Sequence, residues 1–126
     1  MRLARSLLWI DCTGALVVGA LVLALAAWLG RLYALPVGVI IVMGTANLAF
    51  GSFSLSLARR AVRPRQLLLL LVAANITWAV LCATAAVVVA PQASRLGLAH
   101  LLLESLYVGG LGALEWRHRT ILLTAA

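Results

Sequence analysis

The chain contains no lysine and only three acidic residues, Asp11, Glu104 and Glu115, in 126 positions. Charged residues make up 10% of it, against roughly 25% in soluble domains. A soluble fold this apolar would lack the polar surface to cover its core. Cysteine is scarce as well: Cys12 falls near the start of the first apolar run and Cys82 deep in the third. Their depths along helices would differ by roughly 15 Å, beyond the ~7 Å Cα separation that a disulfide spans, so a disulfide framework is excluded. No glycine-rich phosphate loop, HExxH or CxxC is present. His100 and His118 belong near opposite faces of a membrane, so they cannot share a metal or haem. No Ser–His–acid set lies at one depth. These absences leave no enzyme signature, and neither cofactor nor metal is expected.

What the chain does have is long apolar runs, with 65% hydrophobic residues. Four spans are expected, at about 7–30, 36–58, 67–90 and 96–116, each long enough for a bilayer core that takes about 20 helical residues. They use most of the chain and leave no room for a soluble catalytic domain. Pro36 suits the first turn of its helix, and the third run stops at Pro91. Ile121 to Ala126 is too short to span and is expected at the interface. The loops are short, so sequential helices should lie antiparallel and adjacent. The expected fold class is all-α, an up-and-down four-helix transmembrane bundle forming one domain. Gly14, Gly19, Gly44, Gly51, Gly109 and Gly112 are the small residues that let membrane helices approach closely.

The net charge of +7 comes from ten arginines. They fall in the gaps between apolar runs, where they set topology and meet lipid headgroups, so nucleic acid is not an expected partner. Eight lie on one side (Arg2, Arg5, Arg59, Arg60, Arg63, Arg65, Arg117 and Arg119) and two, Arg31 and Arg95, on the other. The richer side is cytoplasmic by the positive-inside rule, which puts both termini and the middle loop there. Abundant Ala, Leu, Val and Arg without lysine point to a GC-rich bacterial gene and to the inner membrane. The first run, with Ala24-Leu25-Ala26, has features of a signal peptide. Its length, the Asp11 within it and the further spans that follow argue for a retained helix.

Polar groups inside spans are costly and therefore informative. Counted from the cytoplasmic helix ends, Glu115 and Asp11 lie about 2 and 6 Å deep, Asn75 and Asn47 about 12 and 16 Å, Trp78 and Glu104 about 17 and 18 Å, and His100 about 24 Å. Two layers result. The cytoplasmic layer, Asp11 and Glu115, is expected to pair with Arg5, Arg59, Arg60 and Arg117. The middle layer, Asn47, Asn75, Trp78 and Glu104, is the candidate intramembrane site. Glu104 is expected to be neutral at this depth and to donate a hydrogen bond. Leucines such as Leu68 and Leu69 should meet lipid.

Asp11 early in the first span, Asn75-x-x-Trp78 in the third and Glu115-Trp116-Arg117 closing the fourth resemble a group of uncharacterised small bacterial four-span integral membrane proteins. The resemblance covers the layout of the whole chain and implies no particular activity. Size and span count are also similar to small multidrug resistance transporters. Those carry their glutamate well inside the first span, whereas here the deepest acid is in the fourth. The expected function is that of a non-enzymatic accessory or structural membrane protein, with the bilayer and either further copies or other membrane proteins as partners. The alternative is a small proton-coupled transporter or channel using Glu104.

Overall fold

The computed structural model describes residues 2–124; Met1, Ala125 and Ala126, and with them the very end of the expected interfacial tail, lie outside the described residues. Within that range the chain is all-α. Its helices are α1 (Arg2–Arg5), α2 (Leu7–Ala24), α3 (Ala26–Tyr33), α4 (Val37–Ala58), α5 (Arg65–Val89), α6 (Arg95–Arg117) and α7 (Arg119–Leu122). Four of them, α2, α4, α5 and α6, are long and apolar enough to cross a membrane. The first apolar run is broken at Leu25, which leaves helical geometry while its N–H still bonds Leu21 O at 3.0 Å. Pro36 and Pro64 precede α4 and α5 at their N-caps, where a missing N–H costs nothing.

The bundle is built from two close pairs, α2 on α4 and α5 on α6, which meet each other more loosely. The first pair is close because small residues face one another. A Cβ on Gly19 would lie 2.9 Å from the backbone oxygen of Gly44, so any larger residue there would force the helices apart. In membranes such packing, rather than water exclusion, holds helices together. Large apolar side chains, among them Leu70, Val80, Val87, Leu102 and Leu106, are exposed around the outside. Trp9 and Trp116 near one end and Trp28 near the other are each about half exposed, the arrangement of an interfacial aromatic belt.

Both ends are closed. At the arginine-rich end Leu7, Leu8, Leu57, Leu68, Leu71, Leu111 and Leu122 form one apolar plug. Leu68 therefore faces inward, with no exposed surface, rather than toward lipid. The reason is the tail, which folds back under the bundle and supplies Leu122. Arg63 fastens it. Its guanidinium donates to Leu57 O (2.8 Å), Ala58 O (3.1 Å), Leu122 O (2.9 Å) and Thr124 O (3.4 Å). It thus satisfies the orphan carbonyls at the end of α4 and ties the tail to them. Burial lowers the Arg63 pKa from its ordinary range, and the four carbonyl dipoles offset that desolvation. At the opposite end Ser94 caps α6 by accepting from Gly97 N and donates to Leu32 O at 2.8 Å. A second apolar cluster, including Val22, Leu29, Ile40, Met43 and Leu101, closes that end.

Candidate functional site

Between the two plugs the loose seam leaves a cavity of about 260 Å³. Asp11 and Gly14 from α2, Asn47 and Phe50 from α4, Asn75 from α5, and His100, Glu104 and Tyr107 from α6 line it. Its mouth lies between α2 and α6, where the wall residues Val18, Leu103 and Tyr107 are exposed. The Tyr107 hydroxyl spans the mouth and donates to Ile10 O at 2.9 Å. Gly14 makes room for it: a Cβ there would lie 2.2 Å from the Tyr107 oxygen. A second hollow of about 390 Å³, between α4 and α5, has apolar walls apart from Trp78 and Cys82.

The upper part of the site is built around Glu104, which is 7% exposed. Its Oε1 accepts from Asn47 Nδ2 at 2.5 Å and from Trp78 Nε1 at 3.1 Å. Oε2 makes no hydrogen bond, but His100 Nε2 stands 3.4 Å from it, one helical turn earlier on α6. The other ring nitrogen, Nδ1, is 2.8 Å from the Tyr33 hydroxyl. Burial, and after it the Glu104 charge, raises the Tyr33 pKa above its ordinary range, so the hydroxyl keeps its hydrogen. Both N–H donors on Glu104, from α4 and α5, thus meet the same oxygen, Oε1. Oε2 is the oxygen without a hydrogen bond, and His100 lies beside it.

The lower part gathers Asp11, Asn75 and Glu115. Asn75 Nδ2 donates to Asp11 Oδ2 and to Glu115 Oε1, each at 2.8 Å. Asn75 therefore leaves the middle layer to which depth assigned it, while Asn47, Trp78 and Glu104 do come together. The cytoplasmic ion-pair layer needs correction. Among the described residues no arginine is within ion-pair distance of Asp11 or Glu115, and the one ion pair is His100–Glu104. Arg5, Arg59, Arg60 and Arg117 are all exposed, whereas Asp11 is 4% and Glu115 0% exposed. The cause is the tail and plug, which cover the acids and leave the arginines outside.

Three further residues belong to the site. His100 was legible as the i−4 neighbour of Glu104, the spacing at which helical side chains meet. Tyr33 lies outside the four spans and carried no such signal. Ser54, fully buried on α4, faces Asp11, and its position three and seven residues beyond Gly51 and Asn47 put it on their face. Cys12 and Cys82 are free and buried. No metal-holding group of three or more His, Cys, Asp or Glu side chains exists among the described residues. No family model, curated protein or solved structure matches the chain.

Proposed function

We propose that the chain is a non-enzymatic, multi-pass protein of a bacterial inner membrane that works as a small proton-coupled transporter, with Glu104 as its protonatable group. The observation that carries this reading is the cavity of about 260 Å³ beside Glu104, His100 and Asp11. A polar network serving only to hold helices together would be expected to close on itself without such a space. The plugs at both ends and the mouth between α2 and α6 favour a substrate that arrives from the bilayer. His100 exchanges the proton with Oε2, from which its Nε2 stands 3.4 Å away. The eight-to-two division of arginines supports cytoplasmic termini.

The test uses purified protein in liposomes with an imposed pH gradient and an encapsulated pH-sensitive dye. Wild type is expected to dissipate the gradient several-fold faster than empty liposomes, and Glu104→Gln to fall to the empty rate with its fold retained. Equal rates for wild type, variant and empty liposomes would overturn the proposal. They would favour the second reading, a structural or accessory protein that works as an oligomer or as part of a membrane complex. That reading is supported by the way Asn47, Asn75 and Trp78 each bond acids on other helices and hold the bundle in register.

A further inference from the structure

We infer that Asp11 and Glu115 bind one proton between them, forming a second protonatable site at the floor of the cavity, separate from Glu104. The geometry leaves little alternative. Both carboxyls accept from the same amide nitrogen at 2.8 Å, so the two accepting oxygens are no further apart than twice that distance. Asn75 supplies one hydrogen to each acid. That leaves Glu115 Oε2 fully buried without a partner. Ser54 Oγ, also fully buried, faces Asp11 without reaching hydrogen-bond geometry.

Side chains from four helices surround the pair. Ser54 faces it from α4, Asn75 from α5, Tyr107 from α6 and Cys12 from α2 beside Asp11. None of these is a cation. Below lies the apolar plug of Leu7, Leu8, Leu57, Leu68 and Leu122, which separates the acids from the arginines. Two negative charges this close, in a site of low dielectric without a counter-ion, repel strongly, and one carboxyl of such a pair retains its proton. Its O–H then points at an oxygen of the other acid and gives a pair of net charge −1. Asp11 and Asn75 line the same cavity as Glu104, so the proton reaches the pair from the cavity and not from the sealed arginine-rich end. The inference goes beyond the transport reading and stands if that reading fails.

The composition makes a clean test available. Only three acids exist, so Glu104→Gln leaves this pair as the sole side-chain carboxyls. Asp11 is also the only aspartate, so an isotope label on aspartate reads it alone. Infrared spectra of Glu104→Gln in lipid nanodiscs at neutral pH should show a protonated-carboxyl C=O stretch equivalent to one proton per chain. Labelled aspartate should titrate in the same step as Glu115. Zero protonated carboxyls, or two that titrate independently, would overturn the inference. Should Glu104→Gln fail to fold, labelled wild type decides: an Asp11 signal moving in step with a glutamate signal supports the shared proton, and an Asp11 that is ionised with no protonated glutamate beside it overturns it.

Discussion

Glu104 and Glu115 lie eleven residues apart on one face of α6, yet their surroundings are opposite. Glu104 receives two N–H groups from two different helices and stands beside a histidine. Glu115 shares a single amide with a second acid and, among the described residues, has no cation within ion-pair distance. The upper cluster is rich in donors and the lower one is short of them. The lesson is that charge compensation, rather than depth, separates the two. The lower acids lie closer to the arginine-rich end, but a plug of leucines keeps the arginines away, so hydrogen itself must supply the missing positive charge.

The largest effect on this contrast should come from the fastening that maintains the plug. Arg63→Met removes every guanidinium bond to four carbonyls and should cost about 4 kcal/mol, at roughly 1 kcal/mol per hydrogen bond. Arg63→Lys should recover less than half, because an ammonium lacks the planar fork. Reversible unfolding in mixed micelles measures both. Proteolysis should show the tail released, with the protonated-carboxyl signal of the lower cluster lost and the upper cluster undisturbed.

Next in size is Asn75→Leu, which strips the lower acids of their one shared donor and should cost about 3 kcal/mol. Asn47→Leu should cost only about 1 kcal/mol, because Glu104 keeps the Trp78 N–H on the same oxygen. Equal losses from the two Asn variants would break the comparison. The smallest change is Tyr107→Phe, which removes the bond across the cavity mouth. It should lower stability by about 0.6 kcal/mol, the usual worth of a hydrogen bond between membrane helices, while quickening the labelling of a cysteine placed at Val18 by lipid-soluble reagents.

The four long helices were legible because span length follows from the uninterrupted runs of apolar residues. The partners of Asn75 were not, because counting depth along the axis ignores which way side chains lean. Cα–Cβ bonds tilt toward a helix's own N-terminus. On α5 that tilt carries Asn75 toward the arginine-rich end, while on the antiparallel α6 it carries Glu115 away from it, and the two meet. The same tilt carries Glu104 away from Asn75, toward His100. Helix direction, readable from loop order, was the unused signal. The buried Leu68 and the isolation of Asp11 and Glu115 from arginine had no local signal, because both depend on a tail that folds back through Arg63.

A double-mutant cycle tests the division into two clusters most directly. Asn75→Leu is combined with Glu115→Gln in one cycle and with Glu104→Gln in another, each read by reversible unfolding in the same micelles. Residues that share a bond couple, and those without shared partners add within about 0.5 kcal/mol. The predicted result is a coupling of about 1 kcal/mol or more between Asn75 and Glu115, with additivity between Asn75 and Glu104. Coupling to Glu104 with additivity toward Glu115 would contradict the account and return Asn75 to the middle of the membrane.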